Sequence, residues 1–291
     1  MSEPILVKSH VSRDFLQNSA YFNTVPKVVW EYVSNSVDNP KPNQSVNVEV
    51  RITRERIVTS DDGCGMSRKG LENFFQMHAE NIRRGRGESV RGRYGTGKCA
   101  AFGIADVLRV ETSQGGLLNV VELSRKDIGR SKSGEPFPVR DIVVDKPTTE
   151  MDGTRIIISK INIRSLDLAG TIAYVERHLG RQLHKHNVAI NDHVCEYQEP
   201  ISSMRRVFHP SLDIAQTIGD LELVVKVSPT PLDSERAGID VLSKGIWHDT
   251  FSGTIEKDIG RRIFGEVDMP LLEERYDEEK IPPFDNTRNM T

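Results

Sequence analysis

The sequence predicts an α/β protein, a two-layer sandwich in which helices cover one face of a mixed sheet, followed by a smaller α/β domain. Three observations carry that expectation. Val25, Val28, Val29, Tyr32, Val33, Ser36 and Val37 recur at helical spacing, with Thr24 as N-cap and Asn39-Pro40-Lys41-Pro42 as the stop. Val46, Val48, Val50 and Ile52 alternate strictly with Asn47, Glu49, Arg51 and Thr53, the pattern of a half-buried strand. The chain has 291 residues, which at about 150 residues per domain suggests two domains.

The remaining elements follow in order. Residues 12–21 read as a helix before the first strong one. Ile57 and Val58 open a second strand, which runs into Asp61-Asp62-Gly63-Cys64-Gly65-Met66, and a helix follows from Ser67 to about Met77. His78 to Arg93 is polar, carries five arginines and reads as a basic loop. Gly92-Arg93-Tyr94-Gly95-Thr96-Gly97-Lys98 then opens a short helix through Ala105. Val107 to Thr112 and Leu117 to Leu123 form a hairpin about Gly115-Gly116. Strands are expected at 142–144 and 154–158, a helix at 166–185, and strands at 221–227 and 238–242. The domain boundary is placed at 187/188, giving domains 1–187 and 188–291.

Composition is that of a globular protein, and the formal charge of -3 exerts no general attraction toward nucleic acid or membrane. Cys64, Cys99 and Cys195 are odd in number and lack CxxC spacing, which argues for reduced thiols and a cytoplasmic location. Met1 to His10 lacks the basic segment and apolar run that mark a signal peptide, and the sequence contains no apolar run of about 18 residues. His184, His186, His193 and Cys195 fit no zinc template, and a helix end followed by a turn explains them.

Three segments carry chemistry. Glu31, Asn35 and Asp38 stand at i, i+4 and i+7 and share one helical stripe, where a carboxylate can accept a proton and an amide oxygen can hold Mg²⁺; taken alone, the stripe reads as the solvated face of an amphipathic helix. Gly63 and Gly65 let backbone approach a planar ligand while Asp61 accepts from an exocyclic amine; the bland reading is an Asx turn capping the next helix. Residues 92–98 combine glycines, exposed amides and Lys98, a phosphate-cradling composition. The same run nearly spells a Walker A loop, but a polar, Arg-rich stretch precedes it and Cys99 replaces the metal-binding hydroxyl.

In this order the segments resemble the GHKL superfamily, which includes gyrase B, the ninety-kilodalton heat-shock chaperones, MutL, MORC and histidine kinases. Residues 31–38 match its N-box, residues 61–66 its DxGxGM box, residues 92–101 its second glycine box, and Asp152-Gly153-Thr154 with the strand after it the element that closes the pocket. The resemblance implies a Bergerat-type ATP pocket. Glu31 would be the general base and Asn35 the Mg²⁺ ligand, with Asp61 reading adenine. Asp38, Thr154, Gly63, Gly65 and Met66 would line the base. Residues 78–93 would form a lid, and Tyr94, Gly95, Thr96, Gly97 and Lys98 would meet the phosphates. Only about 24 residues precede the N-box helix, too few for a histidine kinase's phosphoacceptor hairpin, so hydrolysis is favoured over phosphoryl transfer to protein.

The second half is more loosely similar to the transducer (S5-like) domains of these ATPases. Gly238 to Ile246 matches their glycine-led strand and turn, and Asn286 to Met290 resembles the chaperone loop with a catalytic arginine. Arg288, then Lys244, are the cations that would reach the γ-phosphate. The chain ends just after that loop, which leaves a small stand-alone ATPase and a fragment of a longer protein equally open. The expected function is Mg²⁺-dependent ATP hydrolysis by a nucleotide-gated clamp that forms a nucleotide-dependent homodimer and acts on a protein partner or client, without a membrane. The alternatives are a non-hydrolysing nucleotide sensor and a DNA-processing MutL- or MORC-like ATPase, the latter unsupported by charge.

Overall fold

The computed structural model describes residues 6–7, 16–17, 19–75, 96–130, 137–219, 221–233, 236–243, 245–251 and 257–269. Two compact units are present, one of residues 1–176 and 183–195 and the other of residues 177–182 and 196–291.

The first unit is built on an eight-stranded mixed sheet. In chain order its elements are β1 (Leu6–Val7), α1 (Val25–Val37), β2 (Asn47–Ile52), β3 (Arg56–Asp61), α2 (Arg68–Phe75), a 3₁₀ helix (Thr96–Gly103), β4 (Ala105–Gln114), β5 (Leu117–Ser124), α3 (Arg125–Arg130), β6 (Phe137–Pro138), β7 (Arg140–Pro147), β8 (Gly153–Ile161), α4 (Leu168–Leu179), β9 (Asn187–Ile190) and β10 (His193–Val194). The large sheet runs β10-β9-β2-β3-β8-β4-β5-β7, and β1 pairs separately with β6. All its pairings are antiparallel except β2 with β9, which makes the sheet mixed. The α/β class read from the sequence is the class observed.

Alternation decides which face is covered. β2 is exposed and buried at successive residues, with Val48, Val50 and Ile52 inward. Cross-strand register carries that inward face through the sheet. The rung Ile52–Ile57–Ile158–Leu108–Leu123 is buried throughout, and α1 packs against β2 and β3 through Val25, Val28, Val29, Tyr32, Val33 and Val37. At about 25 cal/mol per Å² of apolar surface removed from water, this face is the main source of the unit's cohesion. Outward positions pair charges instead, as in Arg109–Glu111 and Arg140–Glu122.

Local details differ from expectation for identifiable reasons. Thr24 is the N-cap of α1 with extended backbone, but its side chain makes no capping hydrogen bond; Pro26, in the first turn, pre-sets the helical backbone. The segment after Gly95 is a 3₁₀ rather than an α-helix and stops at Gly103, because Ala105 is already paired with Ile161 in the sheet. Gly103 lies so close to the carbonyls of Ser19 and Phe22 that a Cβ has no room. The helix expected over 166–185 is α-helical only to Leu179; Gly180 adopts φ +46° and the chain tightens into a 3₁₀ turn, Gly180–His184. No helix among the described residues is long and apolar enough to cross a membrane.

The second unit holds a five-stranded sheet. Its elements are β11 (Met204–Phe208), α5 (Leu212–Ile218), β12 (Leu223–Val227), β13 (Gly238–Ser243), β14 (Ile246–Phe251), α6 (Lys257–Gly260) and β15 (Ile263–Asp268), and the strand order is β11-β12-β15-β13-β14. β13 runs parallel to β15 and the other pairs are antiparallel. The β13–β14 hairpin turns at Gly245, whose φ is +79° and whose amide donates to Asp268 Oδ2 at 2.7 Å.

Candidate nucleotide site

The inward face of the first sheet changes character at one end. Above the apolar Ile52 rung and a second rung that is aliphatic except for Thr59, register aligns Val48, Asp61, Thr154, Thr112 and Asn119 across β2, β3, β8, β4 and β5. Four of these five residues are polar, so one edge of an otherwise greasy layer presents hydrogen-bonding groups.

Asp61, the last residue of β3, is the centre of that edge. Its Oδ2 accepts from Ser36 Oγ at 2.7 Å, and its Oδ1 accepts from the amides of Gly63 at 3.0 Å and Thr154 at 3.2 Å. Burial pushes its carboxyl above the ordinary aspartate range, against the pull of these three donors, and neighbouring Asp62 pushes the same way. The Gly63 bond is the Asx turn anticipated from sequence, yet the side chain does more than cap. The hydroxyl that caps α2 belongs to Ser67, which accepts from the Gly70 amide at 3.2 Å.

The loop after Asp61 is held from two sides. The Cys64 amide donates to the Asn39 carbonyl at 3.1 Å, and Asn39 Nδ2 donates to the Asn35 carbonyl at 2.7 Å, which fastens the loop to the end of α1. On the other side, Thr112 Oγ1 accepts from the Met66 amide at 2.8 Å, and Gln114 Nε2 donates to the carbonyls of Cys64 at 2.9 Å and Gly65 at 3.2 Å. Gly65 has φ +63° and sits against the Ser113 carbonyl, and Gly63 sits against the Asn39 carbonyl, so neither position accepts a Cβ. These are the two glycines that the pattern DDGCGM marks. Thr154 Oγ1 is 3.2 Å from Thr112 Oγ1, which also donates to the Gly153 carbonyl at 3.1 Å.

α1 joins this edge to the glycine-containing segment. Tyr32 is fully buried, and its Oη accepts from the Ala101 amide at 3.2 Å. Burial pushes its hydroxyl up strongly. Burial above all, with a contribution from the nearby Glu31 carboxylate, pushes the Cys99 thiol up to about 12. Glu31 therefore lies beside the 3₁₀ helix, whereas Ser36 and Asn39 meet the Asp61 loop. At about 1.5 Å per residue, Glu31 and Asn39 are separated by about 12 Å along the helix axis. Glu31 and Asp38 are half-buried and Asn35 is exposed.

Thr96, Gly97 and Lys98 form the first turn of the 3₁₀ helix. Tyr94, Gly95, Lys244, Arg288 and the 78–93 loop lie outside the described residues. Ser36, Asn39, Thr112 and Gln114 were not singled out as site residues. Ser36 had one readable signal, a hydroxyl within an otherwise apolar helical stripe; Thr112 and Gln114 reach the site only through strand register. Of the histidines, His186 Nδ1 accepts from the Val46 amide at 3.3 Å and His193 Nε2 contacts Glu176 at 2.8 Å. Among the described residues no group of three or more His, Cys, Asp or Glu is placed to hold a metal.

Residues 23–153 match the family model described as "Histidine kinase-, DNA gyrase B-, and HSP90-like ATPase". The chain is also similar to a "Putative type II restriction enzyme HgiDII" of Herpetosiphon aurantiacus, at 26% identity over 168 residues. That match covers 53% of this chain and 27% of the relative.

Proposed function

We propose that residues 23–153, which match the model of the histidine kinase-, gyrase B- and HSP90-like ATPases, bind ATP along α1 and hydrolyse it with magnesium, as a nucleotide-gated conformational clamp. The observation that carries the reading is the hydrogen-bonding of Asp61. Its carboxylate already accepts from Ser36, Gly63 and Thr154, so its remaining capacity is acceptor capacity, suited to the exocyclic amine of adenine. Gly63 and Gly65 let the loop close tightly on the Asn39 and Ser113 carbonyls, which fixes the backbone beside that carboxylate.

From there the ribose and phosphates extend along α1 toward residues 96–98, where backbone amides and Lys98 receive them. Asn35, exposed on α1, would be the protein's oxygen ligand for Mg²⁺. When bound, the ion would supply charge neutralisation at the phosphates. Glu31, beside the 3₁₀ helix, holds the attacking water and takes its proton. Arg288 or Lys244 supplies a further cation. Nucleotide-dependent pairing of two chains and action on a protein partner complete the proposal.

The test is turnover by purified protein. The parent releases ADP when supplied with Mg²⁺ and ATP, and Glu31→Ala retains nucleotide binding while losing turnover. Tight binding with no ADP over hours from the parent would identify a nucleotide sensor instead.

The similarity to HgiDII favours one second reading, in which ATP binding serves a DNA-processing assembly. The net charge of -3 lends it no support. Stimulation of ATP turnover by duplex DNA, weakening steeply with added salt, is the result that reading requires.

A further inference from the structure

β11 lies at the end of the second sheet, paired with β12 on one side and with no strand among the described residues on the other. Along such an edge, alternate residues turn their backbone N–H and C=O groups away from the sheet, where an added strand can bond them. Met204, Arg206 and Phe208 alternate onto one face of β11, with Met204 52% and Phe208 48% exposed, and Leu212 at the start of α5 is 86% exposed. Arg205 and Arg206 are both exposed, and neither makes an ion pair among the described residues. Arginines alone on an edge would serve to repel stray strands. The exposed methionine and phenylalanine beside them do the opposite.

Register fixes what a new strand would meet. Arg206 stands opposite Val225 and Phe208 opposite Leu223, on a face where the β12 residues are half-buried and aliphatic. Arg205 stands opposite Lys226, whose ammonium is already met by the Glu199 carboxylate. A strand laid beside β11 therefore finds an apolar side chain at Met204, guanidiniums at Arg205 and Arg206, and apolar side chains at Val207 and Phe208. Opposite charges and apolar pairs across strands are the contacts that stabilise such an addition. A second copy of β11 does not supply them, because antiparallel self-pairing sets the arginines against one another. A nucleic-acid backbone would engage the two cations and leave Met204, Phe208 and Leu212 in water.

We infer that the free edge of β11 binds an extended acidic segment of a partner protein, which adds to the second sheet as a further strand. The core of that segment has two consecutive Asp or Glu residues facing Arg205 and Arg206, with apolar residues on both sides that cover Met204, Val207 and Phe208. Backbone hydrogen bonds supply the attachment, and the side chains select the sequence. The edge belongs wholly to the second unit, and the segment binds there with or without ATP.

The test is fluorescence anisotropy on the full chain without nucleotide, using a labelled synthetic peptide with the core Val-Val-Glu-Glu-Val. The parent binds it saturably, and at least about tenfold more tightly than a peptide with the core Val-Val-Lys-Lys-Val. The double variant Arg205→Glu, Arg206→Glu, shown to be folded by thermal unfolding, reverses that order. Methylating alternate backbone amides of the acidic peptide abolishes binding in one of the two possible phases and not in the other. No binding of the acidic peptide by the parent, an unchanged order in the double variant, or equal binding of both methylated peptides overturns the assignment. Displacement of the peptide by duplex DNA more readily than by unlabelled peptide also overturns it, in favour of nucleic acid. A parent dimer in sedimentation that the double variant loses overturns it in favour of a second copy. Because no nucleotide is present, each of these outcomes is read independently of whether the first unit binds ATP.

Discussion

The hydroxyl of Ser36 donates to Oδ2 of Asp61 at 2.7 Å, joining the last turn of α1 to the end of β3 across 25 residues of sequence. The bond orients the carboxylate and favours its ionised form. Ser36→Ala removes it at an expected cost of about 1.5–3 kcal/mol, the range for hydrogen bonds to charged groups. ATP affinity should fall roughly tenfold or more, and the pH at which affinity is half lost should move upward. Calorimetric titrations of the parent and the variant across pH measure both effects.

The parent's own pH dependence has two opposite signs. Burial holds Asp61 above the ordinary carboxylate range. An adenine amine needs the ionised acceptor, so ATP affinity falls as pH drops, and it begins to fall at a higher pH than an unperturbed aspartate would dictate. The nucleotide-free protein behaves oppositely. Its native state takes up the proton before the unfolded chain does, so this group adds stability as pH falls from the raised value to the ordinary one, and that stability is lost as pH rises back through the raised value. Asp61→Asn abolishes this contribution. Chemical denaturation and ATP titration between about pH 4 and 7 check the pair of trends.

Much of this site was legible in the sequence because its parts are local. The valines of α1 follow one helical period, β2 alternates without a break, and DDGCGM puts a carboxylate and two glycines within a five-residue span. The structure gives those glycines the backbone positions that exclude a side chain. The braces were not legible. Met66 and Thr112 are 46 residues apart and meet only because β3, β8 and β4 pair in one register, a long-range choice that no local pattern records. β9 is similar: its four residues join β2 in parallel about 140 positions away in sequence. The 3₁₀ form of residues 96–103 escaped for a different reason, because helical spacing does not distinguish a tight helix from an α-helix over so short a run.

Gly65 tests the loop independently of any charge. Its positive φ and its contact with the Ser113 carbonyl leave no space for a methyl group. Gly65→Ala should displace the loop from β4, breaking the Met66 and Gln114 bonds, at a cost of about 1–3 kcal/mol for the strained backbone alone. Thermal unfolding gives the stability loss. ATP titration of the folded fraction should show affinity lost beyond measurement.

Tyr32 tests the other end of α1. Tyr32→Phe leaves the Ala101 amide buried without its acceptor, an expected loss of about 1–3 kcal/mol in denaturant unfolding. Because that amide lies in the 3₁₀ helix of the proposed phosphate segment, ATP affinity should weaken as well, whereas adenosine affinity should change little.

The account turns on Asp61 as the group that recognises the base. Calorimetric titration of Asp61→Asn with Mg²⁺ and ATP, beside the parent and with folding verified by thermal unfolding, tests it most directly. Asparagine preserves the shape but removes the charge and turns one acceptor into a donor. The account predicts saturable binding by the parent and none by a folded Asp61→Asn. A folded Asp61→Asn that binds ATP as tightly as the parent would contradict it.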